Sequence, residues 1–218
     1  MQRLLAGYAR FRSHVFPQHK TLLESLAKGQ QPEALFITCS DSRVMPEMIL
    51  QCEPGQIFPI RLAGNLVPPP SDETNGITAT IEYAIRALNI RDVILCGHTG
   101  CGAMKELLEQ AHTNDLPDTT QWLQHAGSPP KWLRNSLRNV LTISPEDKLN
   151  LIIEANVLSQ LDHLRQHAAI REGLRDQTLR LHGWVYDIVN GEIRAFDPEA
   201  GAFHALPATE SHLENKIA

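Results

Sequence analysis

With 218 residues, 42% of them apolar and 21% charged, the chain can bury a substantial hydrophobic core and lies outside the composition of disordered segments. A formal charge of -5 without any block of Lys and Arg argues against nucleic acid as a partner, since phosphate binding needs a concentrated cationic surface. No apolar run has the length of a membrane span or a signal core, so the expectation is one cytoplasmic domain over 1–218 with no membrane partner.

In chain order, Leu4, Leu5, Tyr8 and Phe11 recur at nearly helical spacing and residues 21–26 repeat the pattern. Two helices are expected within 1–30, free either to cover the core or to reach a neighbouring subunit. Residues 34–38 give a compact apolar strand signal that runs into Cys39-Ser40-Asp41-Ser42-Arg43. Residues 57–60 give a weaker strand, followed by Gly64, Asn65 and three prolines at 68–70. Asn75 and Gly76 close that loop, and Ile81, Ala84, Ile85 and Leu88 then line one side of a helix over 78–88.

Residues 92–96 are the clearest buried strand, and Gly97-His98-Thr99-Gly100-Cys101-Gly102 leads from it into a helix over 103–110. Strand, glycine turn and helix in this order make a βα unit, so the expected class is α/β with a mainly parallel sheet. Both polar motifs then fall at carboxyl ends of strands, where open α/β sheets place ligands. Residues 111–130 read as a long surface excursion around Trp122. Ser144 and Pro145 open a long helix whose apolar stripe is Leu149, Ile152, Ile153, Val157, Leu161 and Leu164. Residues 178–188 and 192–196 flank Asn190 and Gly191 as two strands, with a terminal hairpin or edge strand beyond them and a flexible tail at 208–218.

Cys39, His98 and Cys101 form a Cys2His set. Thiolate and imidazole are good zinc donors, and three protein ligands leave a fourth position for water, as catalytic zinc requires. The Asp41 carboxylate could fill that position instead. Arg43 could pair with Asp41 and draw it away, leaving an oxygen to accept a hydrogen bond from the bound water. Gly102 could expose its N–H to an anion at the start of the next helix. Cys52 and Cys96 read as structural, four cysteines being too few for a disulfide scaffold in a chain of this size. His14, His19, His112, His125, His163 and His167 read as exposed or helical surface, and His182 as a structural hydrogen bonder. Trp122, Trp132 and Trp184 read as anchors of loops and interfaces.

The two polar motifs, together with Glu82-Tyr83-Ala84 and Leu181-His182-Gly183-Trp184-Val185-Tyr186, resemble the signature of the β-class carbonic anhydrases, closest to the bacterial, cyanobacterial and plant-like members. The resemblance reaches to about Pro198. It implies a four- or five-stranded mainly parallel sheet flanked by helices, and reversible hydration of carbon dioxide to bicarbonate and a proton through zinc-bound hydroxide. It further implies one Zn2+ per subunit on Cys39, His98 and Cys101, with Asp41 and Arg43 as the catalytic pair and Asp41 on zinc in a closed state. Gln30, Phe58 and Tyr83 would line the substrate pocket, with Gln30 reaching across a dimer on which the N-terminal helices of residues 1–30 pack, and tetramers or octamers built from it. Some members carry a regulatory bicarbonate pocket of Trp, Arg and Tyr; Arg61 and Tyr186 match it, but Phe36 stands in place of the tryptophan, so an open site is expected. Leu62 and the 68–74 loop also depart from the usual pattern.

Other classes fit less well. A hydrolase of carbonyl sulfide or carbon disulfide would use the same metal chemistry, but nothing in the sequence favours a sulfur substrate. A noncatalytic zinc-stabilised binding protein would not need Asp41 and Arg43. The glycine turn lacks the dinucleotide-binding pattern, and Cys96 and Cys101 are not a redox pair.

Overall fold

A computed structural model describes residues 1–109, 115–127 and 144–207. Six strands are found among them: β1 (Ala34–Cys39), β2 (Ile57–Leu62), β3 (Asp92–His98), β4 (Arg180–Tyr186), β5 (Ile193–Asp197) and β6 (Ala202–Ala205). They form one sheet in the order β2-β1-β3-β4-β5-β6. The first four are parallel, and β5 and β6 add antiparallel at the edge. The mainly parallel α/β architecture is as expected, and the sixth strand is the terminal hairpin anticipated after residue 196. Every residue of β1 is buried, as befits a central parallel strand covered on both faces. Its alternation sends Leu35 and Ile37 into the larger apolar cluster and Phe36 into a smaller one with Ile94, Cys96 and Tyr186.

The helices are α1 (Gln2–Arg10), α2 (Phe16–Leu26), α3 (Pro46–Ile49), α4 (Gly76–Glu82), α5 (Gly102–Glu109), α6 (Pro117–Leu123), α7 (Pro145–Leu164) and α8 (Ala168–Arg175). Neither α1, α2 nor the wider turn Phe11–Val15 between them buries a residue, and Leu4 and Tyr8 are 71% and 61% exposed. The Asn75 side chain accepts from the N–H groups of Ile77 and Thr78, so α4 starts two residues before the expected 78. It continues past Glu82 as a wider turn, Tyr83–Ala87. Ser144 caps α7 by accepting from the Asp147 N–H.

Two expectations need correction. The surface excursion at 111–130 holds a helix, α6, opened by Pro117 in its first turn. The short helix α8 was not anticipated; it buries Ala169, Ile170 and Gly173. Trp132, His112 and the tail at 208–218 lie outside the described residues.

Close packing of α7 on the sheet depends on two glycines. A Cβ on Gly97 would stand 2.9 Å from Val157 Cγ2, and one on Gly183 would stand 2.8 Å from Leu161 Cδ1. Only bare backbone lets Val157 and Leu161 seat fully against β3 and β4, where each buried side chain contributes roughly 1.5–3 kcal/mol.

Candidate metal centre

Cys39 is the last residue of β1 and His98 the last of β3, so both strands extend beyond the expected limits of 38 and 96 and end on a metal-ligand type. Gly100, at φ 63°, turns the chain so that Cys101 folds back beside them, immediately before α5. The ligand atoms of Cys39, His98 and Cys101 all lie within 4.8 Å of one another, and all three residues are buried. A tetrahedral ion of zinc's size, bound by sulfur at about 2.3 Å, would hold two sulfurs about 3.8 Å apart, so little movement is needed.

His98 is oriented for this. Its Nδ1 donates to the Thr99 carbonyl at 3.0 Å, leaving the Nε2 lone pair for a ligand. That Nε2 is buried without a hydrogen-bond partner. Thr99 is itself fixed, its N–H donating to the Tyr186 carbonyl at 2.9 Å and its hydroxyl accepting from the Ile188 N–H at 3.0 Å. The two thiols are unequal. A hydrogen bond from Cys101 pulls Cys39 well below the ordinary thiol value against the opposing effect of burial, and the same bond pushes Cys101 up. A buried S, N, S donor set with an unpaired imidazole nitrogen fits a metal ion.

Asp41 and Arg43 stand at the rim. Arg43 Nε and backbone N–H both donate to Asp41 Oδ1 at 3.0 Å, and Nη2 donates to Oδ2 at 2.7 Å. Nη2 also donates to the Gly100 carbonyl at 3.0 Å, tying the first motif to the second. These bonds hold the Asp41 carboxyl well below the usual carboxylate range. Its Oδ2 is 3.9 Å from His98 Nε2. Gly102 is exposed and opens α5, with open space where a Cβ would be.

Gln30, Phe58 and Tyr83 are not brought to this centre within one chain. Phe58 pairs with Leu35, whereas Leu62 pairs with Cys39. Four register positions at 3.3 Å each put Phe58 about 13 Å away, towards the amino end of the sheet. There its ring packs on Tyr83, centroids 6.2 Å apart. Tyr83 and Gln30 line one open hollow of about 640 Å³ with Leu26, Gly55 and Leu88.

Several other assignments can be placed. Arg61 is committed to backbone, donating to the carbonyls of Cys39 (3.3 Å), Asp41 (2.6 Å) and Val44 (2.8 Å). Phe36 packs edge-on against Trp184. His182 donates to Asp92 at 2.8 Å, as expected of a structural histidine. His167 is buried rather than on the surface and His163 is half-buried on α7; both donate to carbonyls of the 67–68 segment. Sequence reasoning also missed Asn156 and Gln160, two buried amides on α7. Hydrophobic periodicity carries no signal for a polar residue whose partner is distant backbone.

Comparison with known proteins agrees with this geometry. The family model described as carbonic anhydrase matches residues 34–193. A carbonic anhydrase of Pseudomonas aeruginosa is 40% identical over 206 residues, 94% of this chain and 92% of that protein. The solved structure of the β-carbonic anhydrase CcaA is 42% identical, with a TM-score of 0.86 over 94% of this chain and 99% of that one. A tetrameric β-carbonic anhydrase of Sordaria macrospora is 29% identical, with a TM-score of 0.78 over 94% and 98%. By sequence and by fold, this chain belongs to the β-carbonic anhydrase family.

Proposed function

We propose that the protein is a zinc-dependent carbonic anhydrase, a carbon-oxygen lyase that interconverts carbon dioxide and bicarbonate with one Zn2+ per subunit on Cys39, His98 and Cys101. The observation that carries this reading is the convergence of those three buried residues, with His98 Nε2 unpaired, beside an Asp41 carboxylate already held by Arg43. Bound there, zinc would act as a Lewis acid that brings the pKa of a coordinated water near neutrality, supplying the nucleophile for carbon dioxide.

The chain's own residues do the rest. Asp41 accepts the attacking water's hydrogen bond and aims it, and Arg43 keeps Asp41 ionised and turned from the ligand position. The Gly102 N–H, at the start of α5, favours the developing anion. Arg61 spent on three carbonyls and Phe36 packed on Trp184 support an open site without a bicarbonate switch.

Gln30, Phe58 and Tyr83 complete the pocket from a second copy of the chain, which their position at the far end of the sheet supports. The exposed apolar side chains of α1 support the same dimer, residues 1–30 packing on the partner, with tetramers or octamers as further assemblies. The reading places the enzyme in the cytoplasm, in keeping with four free cysteines. Stopped-flow hydration of carbon dioxide at pH 7 and pH 8.5, with zinc measured on the same samples, tests it. Rapid hydration at both values with stoichiometric zinc is expected; zinc-loaded protein inactive at both would overturn it.

A further inference from the structure

β3 and β4 pair in parallel from Asp92 against Arg180 to His98 against Tyr186. In such a ladder every second residue of one strand makes both bonds. Its N–H donates to the carbonyl of the residue before its partner, and its carbonyl accepts from the N–H of the residue after. The bonds just beyond the strand limits fix which residues these are. The Arg91 carbonyl accepts from the Arg180 N–H at 2.8 Å, and the Thr99 N–H donates to the Tyr186 carbonyl at 2.9 Å. The bonding residues of β3 are therefore the odd-numbered ones, and Thr99 is the last of them before Gly100 turns the chain away at φ 63°.

Thr99 departs from the ladder on one side. By the register its carbonyl should accept from the Ile188 N–H. That N–H donates instead to the Thr99 side chain, Oγ1, at 3.0 Å. The carbonyl is left to accept from His98 Nδ1, also at 3.0 Å. One residue thus serves two donors, hydroxyl to the ladder and carbonyl to the imidazole. The turn that carries Ile188 is itself held: Asp187 Oδ1 accepts from the N–H groups of Val189 and Asn190 at 2.9 and 3.2 Å, and Oδ2 accepts from Asn190 Nδ2 at 2.9 Å. His98 is fully buried, so a weakened bond at Nδ1 has no solvent to replace it.

We propose that Thr99 is a positioning residue for the metal site: its hydroxyl takes the Ile188 N–H and so keeps the Thr99 carbonyl on His98 Nδ1, holding the imidazole with Nε2 towards the ion. This rests on His98 being a zinc ligand, and it names the side chain that secures the ligand's outer hydrogen bond. Without the hydroxyl, one carbonyl must serve two donors from different elements, the β4–β5 turn and the imidazole. A hydroxyl that merely satisfied the last ladder N–H would affect stability alone.

The test uses the zinc-loaded full-length protein. Thr99→Val keeps the shape and removes the acceptor, Thr99→Ala removes it in a smaller side chain, and Thr99→Ser keeps it. Zinc transfer to a chromophoric chelator is timed, and the His98 Nδ1–H proton is followed by NMR of protein labelled in its histidine nitrogens. The Val and Ala variants are expected to release zinc roughly tenfold to a hundredfold faster and to shift that proton's signal, with Thr99→Ser close to wild type. Should Thr99→Val fail to fold, Thr99→Ala decides alone. Val and Ala variants that melt at lower temperature but keep wild-type release and signal would overturn the proposal, and so would a Thr99→Ser variant that behaves like Thr99→Val. A wild type that holds zinc but does not hydrate carbon dioxide would sink the catalytic reading and leave this one standing; a wild type that takes up no zinc would overturn both.

Discussion

Arg43 grips both carboxylate oxygens of Asp41, Nη2 at 2.7 Å from Oδ2 and Nε at 3.0 Å from Oδ1. On the proposed reading, a carboxylate held this way aims a water rather than occupying the metal. Asp41→Ala should therefore lose activity by about a hundredfold or more while keeping its zinc. Cys39→Ala, His98→Ala and Cys101→Ala should lose both. Metal content and hydration rates measured on the same preparations separate these roles; equal zinc loss in all four variants would mean that Asp41 closes the site.

The strands that carry the ligands were legible because 34–38 and 92–96 are apolar runs ending abruptly in Cys and His chemistry. What escaped was polar and distant. Asn156 and Gln160 lie among the apolar positions of α7, and their partners are backbone groups about ninety residues earlier in the chain, which no local pattern encodes. Helix α8 escaped because its eight residues give a short amphipathic signal. Phe58 and Tyr83, which the resemblance assigns to the substrate pocket, pack together. Their separation from Cys39 follows from strand register, which sequence alone does not supply.

Gly183→Ala should destabilise the fold by about 1–3 kcal/mol, since the new methyl would meet Leu161 Cδ1 at 2.8 Å and Val157 Cγ1 at 3.1 Å. In a Leu161→Ala background the cost of Gly183→Ala should be smaller, because the truncated side chain opens space at the same point. Urea midpoints of the single and double variants check this. Strict additivity would show that α7 does not press on Gly183.

Asp92 gives a stability term with a definite pH window. The Arg180 side chain, 2.7 Å and 2.5 Å from its two oxygens, lowers the Asp92 pKa; burial opposes this, and His182 adds to the lowering. A carboxyl with a folded pKa below its unfolded value of about 3.9 contributes stability that is fully present above that value. The contribution is lost as the pH falls through the folded pKa. The melting-temperature gap between wild type and Asp92→Asn should thus hold steady near neutrality and narrow below about pH 4. Arg180 is exposed, so the gap should also shrink with added salt. A gap that widens in acid would contradict this sign.

The far-end placement of Gln30 and Tyr83 makes the strongest demand on the proposed assembly. If each site takes its metal from one chain and these residues from the other, two dead variants can repair one another. Cys39→Ala lacks the metal but offers an intact Gln30; Gln30→Ala holds the metal but lacks the pocket residue. When equal amounts are unfolded, mixed and refolded with zinc, half of the symmetric dimers should be mixed, each with one of two sites whole. About a quarter of wild-type activity is then expected from a mixture whose parents are both weak. Activity no higher than the average of the two parents, in a preparation shown by mass spectrometry to contain the mixed dimer, would mean that Gln30 acts within its own chain or not at all.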